Sequence, residues 1–402
     1  MVFSIKDSAL GRGGNDYMEK ITAVNGLLLK WAREVSNMPI PFVAEKFSKN
    51  PDTIIAWEGG SDYPTYSQLE KLGGLYKKPL AIFFFPSIPQ GYNIKSSCRT
   101  LPESTFNSLS YKVIRKMNDA RVMQLNLYEL NEGKNPSKQL LTNMNFSNNA
   151  NQTATQLRRL LGVSLVDQKR IRKVNEALEM WRNKLIDLGI YVFKDAFEDD
   201  SISGFCLYDK EFPVIYINNS MSFTRQIFTL FHELYHLISN TSGIDKIKDD
   251  YFEGLSTHKL MVEKTCNAFA GEFLVPDVDF DIQVSHLKLT ELTTGKLANE
   301  YNVSREVIMR KLLDRRLISQ DEYDQKHEQF KIEAIRARQK KKDENGGGNF
   351  FNTKIAYLGH TYLYQAFEKY SKNKIDIYQL SEYTRTKIGH LPKLSSKLGL
   401  ED

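Results

Sequence analysis

Cysteine is scarce in this chain. Its 402 residues hold three, Cys98, Cys206 and Cys266, far apart and without paired-ligand spacing. That pattern argues against a disulfide framework and fits free thiols in a reducing cytoplasm. Long apolar runs are missing as well. The longest greasy stretch, Leu80–Phe85, is far too short to span a bilayer, and the N-terminus has no apolar run of signal-peptide type. A cytoplasmic protein with no membrane partner is expected. There is no internal repeat and no nucleotide-binding loop. Excess charge is small too, a net of +6, which by itself says little about nucleic acid. What remains is an ordinary globular balance, 41% hydrophobic and 26% charged, with length for two or three domains.

Histidine is also rare, seven in all, yet two of the seven lie four residues apart in His232-Glu233-Leu234-Tyr235-His236. On a helix, residues four apart share a face, so this HExxH pattern can aim two imidazoles at one metal ion. Glu233 then stands where it can take a proton from a metal-bound water, the zinc-hydrolase arrangement. Ile227, Leu230, Phe231, Leu234 and Ile238 form an apolar stripe at helical spacing. The histidines lie off its centre. The helix is therefore expected to bury one face and turn the other toward a cleft. A core helix carrying two satisfied histidines is the competing reading.

A catalytic zinc usually takes three protein ligands plus water. Leu260–Pro276 reads as a second helix, stopped near its proline. Glu263, Cys266, Asn267 and Ala270 fall along one face of it, and Ala268, Ala270 and Gly271 are small enough to admit another helix. Glu263 is the best third ligand, with Asn267 one turn on as a partner that holds a ligand in place. Cys266 reads as a small buried residue, with a ligand or redox role as the alternative.

Three segments together carry a family likeness: Pro213–Asn218, then Arg225–Ile238, then Glu263–Ala270 followed by Leu274 and Pro276. This order resembles the ImmA/IrrE metallopeptidases over about residues 174–280. The resemblance implies His232, His236 and Glu263 as zinc ligands and Glu233 as the base. The 27 residues from His236 to Glu263 suit it.

The N-terminal part reads as four short helices. Leu27–Val35 and Phe42–Phe47 are the first two. Asn50-Pro51 opens a third, closed by Trp57-Glu58-Gly59-Gly60, and Tyr63-Pro64-Thr65 opens a fourth. Residues 22–86 resemble the Xre/Cro helix-turn-helix family. Base reading wants Arg, Lys, Asn or Gln at the entry of the recognition helix. Only Lys49 and Asn50, with Thr53 after them, offer that here. Residues 21–90 carry seven Lys or Arg and six Asp or Glu, less basic than a DNA surface usually is. A helical module that docks protein is the alternative.

The expected fold class is α+β: mostly helical, with an N-terminal helix-turn-helix bundle, a zincin-like metallopeptidase core with a small sheet, and a C-terminal helical region. Residues 1–21 read as a tail, 22–90 as the helix-turn-helix domain, 91–173 as a helical linker region and 174–280 as the metallopeptidase core. Residues 281–342 follow as a second helix-turn-helix-like subdomain, 343–349 as a flexible linker and 350–402 as a helical appendage. Ile190–Phe193, Phe205–Tyr208 and Val214–Ile217 read as strands. Val214–Asn218 is expected to be an edge that holds extended substrate by backbone pairing, through Val214, Tyr216 and Asn218.

The function this points to is a zinc-dependent endopeptidase that cuts a regulatory protein, a repressor or antitoxin-like partner, in stress, mobile-element or phage-related control. Double-stranded DNA and a second copy of the chain are the other expected partners. The alternative is a DNA-binding transcription regulator or toxin–antitoxin component whose metal site is sensory or structural.

Overall fold

Period-two alternation in three strands explains most of the architecture. The computed structural model describes residues 19–88, 109–137, 146, 149–246, 257–344 and 349–400. The tail up to residue 18, Cys98 and the glycine run 346–348 lie outside them. The chain divides into two compact units, 1–93 and 94–402.

In the first unit, α1 (Gly26–Val35), α2 (Ile40–Lys46), α3 (Pro51–Gly59) and α4 (Tyr66–Tyr76) enclose a core that includes Leu28, Leu29, Val43, Ile54, Trp57, Leu69 and Leu72. The local signals act as read. Asn50 caps α3 by accepting from the Asp52 N–H at 3.2 Å, Gly60 ends it in the left-handed conformation, and Thr65 with Gln68 makes a capping box on α4. A nearly buried ion pair, Arg33 to both oxygens of Glu58 at 2.6 and 3.0 Å, ties α1 to α3. Gly26 lets α1 approach closely, because a Cβ there would meet the Glu58 carbonyl oxygen at 2.6 Å.

The second unit is built on a four-stranded mixed sheet of order β1-β3-β2-β4: β1 (Tyr191–Asp195), β2 (Ile202–Leu207), β3 (Val214–Asn218) and β4 (Ile244–Lys246). β3 runs parallel to β1 and antiparallel to β2. Both faces of these strands are buried. Val192, Cys206, Ile215 and Ile217 point to one core, which they share with the helices Val174–Ile186, Phe223–Ile238 and Thr257–Leu274. Tyr191, Phe193, Phe205, Leu207, Val214 and Tyr216 point to the other, under the helix Tyr111–Leu130 and the helices of residues 350–397. Successive residues face opposite sides of a sheet, so these strands need two covers.

The second cover corrects the expectation of a C-terminal appendage. Phe351, Leu358, Tyr362, Leu363, Leu380 and Leu394 are part of the sheet's own core. Fully buried Arg182 binds the ends together: its guanidinium donates to the carbonyls of Val192 at 2.9 Å and Ala356 at 2.8 Å, and pairs with Glu179 at 2.8 Å. The helices Glu291–Tyr301 and Arg305–Asp314, the latter capped by Ser304, pack on the first core through Leu297, Tyr301, Ile308 and Leu312. No helix of the described residues is long and apolar enough to cross a membrane.

Ending the chain at Glu344 would strip the cover from Tyr191, Phe193 and Tyr216. The shortened protein is expected to lose its cooperative thermal transition and to bind an apolar dye strongly. A wild-type transition in that variant would show that residues 349–400 are separable.

Candidate metal centre

The site is made where two helices face each other. The helix Phe223–Ile238 starts at Ser222, whose hydroxyl accepts from the Arg225 N–H, and is buried along most of its length. The apolar stripe is turned into the first core, against the sheet and the neighbouring helices. His232, Glu233 and His236, on the remaining face, are 1%, 0% and 3% exposed. They do not line an open cleft: the helix Thr257–Leu274 covers them. Ala270 lies buried in that contact, while Ala268 is exposed on the outer side and contributes nothing to close approach.

Glu263 sits between the two imidazoles. Its oxygens lie 3.2 Å from Nε2 of His232 and 3.6 Å from Nε2 of His236. Each histidine is oriented through its other nitrogen. Nδ1 of His232 donates to the Asn267 side-chain oxygen at 2.9 Å, and Nδ1 of His236 is 3.4 Å from the Thr241 hydroxyl. That leaves both Nε2 atoms turned to the same carboxylate. Gly243 lies flat against the His236 ring, where a Cβ would come within 2.2 Å of Cδ2. Below, Asp245 accepts from Arg225 at 2.7 and 2.8 Å and from the Thr229 hydroxyl at 2.8 Å.

Charge is concentrated here with little water to screen it. Burial opposes a charged His232, but the carboxylates of Asp245, Glu263 and Glu233 outweigh it and lift the imidazole to about 9. Burial likewise opposes a charged Glu263, and the two histidines overcome it, holding the carboxyl at about 2. Glu233 goes the other way: desolvation raises it despite the nearby imidazoles. Both Glu233 oxygens are buried without a hydrogen-bond partner, and Nε2 of His232, though 3.2 Å from a Glu263 oxygen, makes no aligned hydrogen bond. Orphaned buried acceptors of this kind are costly unless another group meets them. Two imidazoles and a carboxylate converging on one point are the donor set of a zinc site, so the residues present fit such an ion.

A family model matches this part of the chain. Residues 186–313 match the IrrE N-terminal-like domain family, a family of metallopeptidases. The match spans the sheet, both site helices and, to within one residue, the three helices that follow. No curated protein matches the chain.

Other expected site residues lie elsewhere. β3 is paired on both sides and offers no free edge to substrate. Val214 and Tyr216 face the core on the side of the sheet away from the histidines, where the Tyr216 hydroxyl is 3.5 Å from Arg385. The Asn218 amide is spent on the chain itself: it donates to the carbonyls of Asp199 and Ile202 and accepts from the N–H groups of Phe197 and Ser220. The substrate-binding assignment of these three residues is therefore withdrawn. The alternation was legible but the two-sided pairing was not. In the N-terminal unit Lys49 and Asn50 are exposed and Thr53 is half-buried, with the Asn50 side chain engaged as the α3 cap. Thr241, Gly243 and Asp245 escaped the sequence reading, since short loops and a three-residue strand carry no periodic signal; Arg225 was read only as the start of a family segment.

Asn218→Ala should destabilise by more than the roughly 1–3 kcal/mol of one unpaired buried group, because several partners are lost together. Metal content per folded molecule should not change; a variant of wild-type stability would restore a surface role for Asn218. The shifts also fix a pH profile for chelator-treated protein. The His232 contribution is complete below its ordinary value of 6.5 and lost as pH rises through about 9. The Glu263 contribution is complete above 4.5 and lost as pH falls through about 2. Urea midpoints should therefore fall from neutral pH toward pH 9, and this limb should flatten in Glu263→Gln. An unaltered limb in that variant would count against the pairing.

Proposed function

We propose that the chain is a zinc-dependent endopeptidase that cleaves a specific regulatory protein, of repressor or antitoxin type, in the cytoplasm. The observation that carries this reading is the convergence of His232, His236 and Glu263 beside a buried, unpaired Glu233. The match of residues 186–313 to a metallopeptidase family supports it. His232, His236 and Glu263 would hold the ion, with Asn267 and Thr241 fixing the imidazoles. When bound, the ion supplies a Lewis acid for water and for the scissile carbonyl. Glu233 accepts the proton from water and passes it to the leaving amine; burial raises its affinity for that proton.

For residues 22–88 the favoured role is protein docking. The unit is nearly neutral, the Asn50 amide is committed to its helix cap, and α3 exposes Ile55. Lys49 and Thr53 remain the residues to alter if the unit reads DNA, and a steep loss of affinity with salt would mark that alternative.

Glu233→Gln should retain zinc and the wild-type fold while cleavage of its regulator falls roughly 100- to 10,000-fold. The assay is incubation of candidate regulators with wild type, the variant, and wild type plus chelator. Cleavage by Glu233→Gln at the wild-type rate, or cleavage indifferent to chelator, overturns the proposal.

A further inference from the structure

We propose that Cys266 is a fourth protein donor to the ion held by His232, His236 and Glu263, so that the metal rests in a closed site. This inference depends on the reading of the site as a metal centre. Cys266 is one turn beyond Glu263 on the same helix and completely buried. Its Sγ lies 3.5 Å from Nε2 of His236. Ligand atoms of His232, His236 and Cys266 all fall within 4.8 Å of one another. Donors about 2.0–2.3 Å from one zinc stand roughly 3–4 Å apart at tetrahedral angles, and the two imidazoles and the thiol come close to that spacing, with Glu263 oxygens 3.2 and 3.6 Å from the same imidazoles. A second observation points to the same place. Nε2 of His232, on a side chain only 2% exposed, makes no aligned hydrogen bond although a Glu263 oxygen lies 3.2 Å away, and it is one of the converging atoms.

The other buried thiol is not equivalent. Cys206 accepts from the Gly243 N–H at 3.1 Å and lies 3.9 Å from the Thr241 carbonyl oxygen, outside the converging group.

Coordination breaks the S–H bond and forms a sulfur–metal bond. The proton leaves to solvent and no electrons are transferred, so no oxidant is needed. Two imidazoles, a carboxylate and a thiolate would fill the four tetrahedral positions of a zinc ion. The thiolate then takes the position that water needs for hydrolysis. Cleavage requires Cys266 to withdraw, which makes the resting protein latent.

Cobalt(II) added to metal-free full-length protein tests this without any activity assay. Thiolate ligation gives an intense near-ultraviolet charge-transfer band beside the visible bands of tetrahedral cobalt. The band is expected in the wild type and in Cys206→Ala. It should be lost in Cys266→Ala and Cys266→Ser, which keep the visible bands. Wild-type protein that binds cobalt without the band overturns the proposal and leaves the metal centre standing. A band that survives in a folded Cys266 variant also overturns it. Failure of the wild type to bind cobalt at all overturns both this proposal and the metal-centre reading.

Discussion

The contact between the Glu263 carboxylate and the two Nε2 atoms of His232 and His236 is the constraint on which the second unit turns. It places three groups with strong affinity for protons or metal in a region almost closed to water. Such groups are expensive to desolvate and repay the cost only together. The helix Thr257–Leu274 must therefore stay packed on the helix Phe223–Ile238. Phe269 and Phe273 on one helix and Phe231 and Tyr235 on the other hold it there, with the Phe231 and Phe273 rings stacked at 4.0 Å. Charge chemistry and apolar packing are two sides of one helix pair.

That pair needs a firm floor, and the sheet provides it. Its strands are buried on both faces, so the half of the unit remote from the histidines is as necessary as the half that bears them. The Tyr111–Leu130 helix and the C-terminal helices cover Phe193, Phe205 and Tyr216, while Arg182 and Gln124 satisfy carbonyls at the strand ends. The matched region 186–313 thus sits within a larger cooperative body that includes chain from both sides of it. Latency of the metal through Cys266 would add a second function to the same packing, since the helix that delivers Glu263 also delivers the thiol.

Sequence alone determined the features that are local and periodic. Two histidines four apart fall on one helix face whatever surrounds them, and Glu263 shares a face with Asn267 by the same arithmetic. Caps at Asn50 and Thr65 were legible because one side chain meets a backbone N–H two or three residues away. The strands showed themselves by alternation. Tertiary structure alone decided how these parts meet. A strand's pattern does not say whether its edges are free, so Val214–Asn218 read as a substrate edge although β3 is enclosed between β1 and β2. A helix rich in aromatics does not say what it covers, so residues 350–402 read as an appendage although the described part of them completes a core. Thr241, Gly243 and Asp245 reach the cluster of His232, His236 and Glu263 from a loop and a short strand, through contacts that depend on distance in space and leave no trace in spacing along the chain.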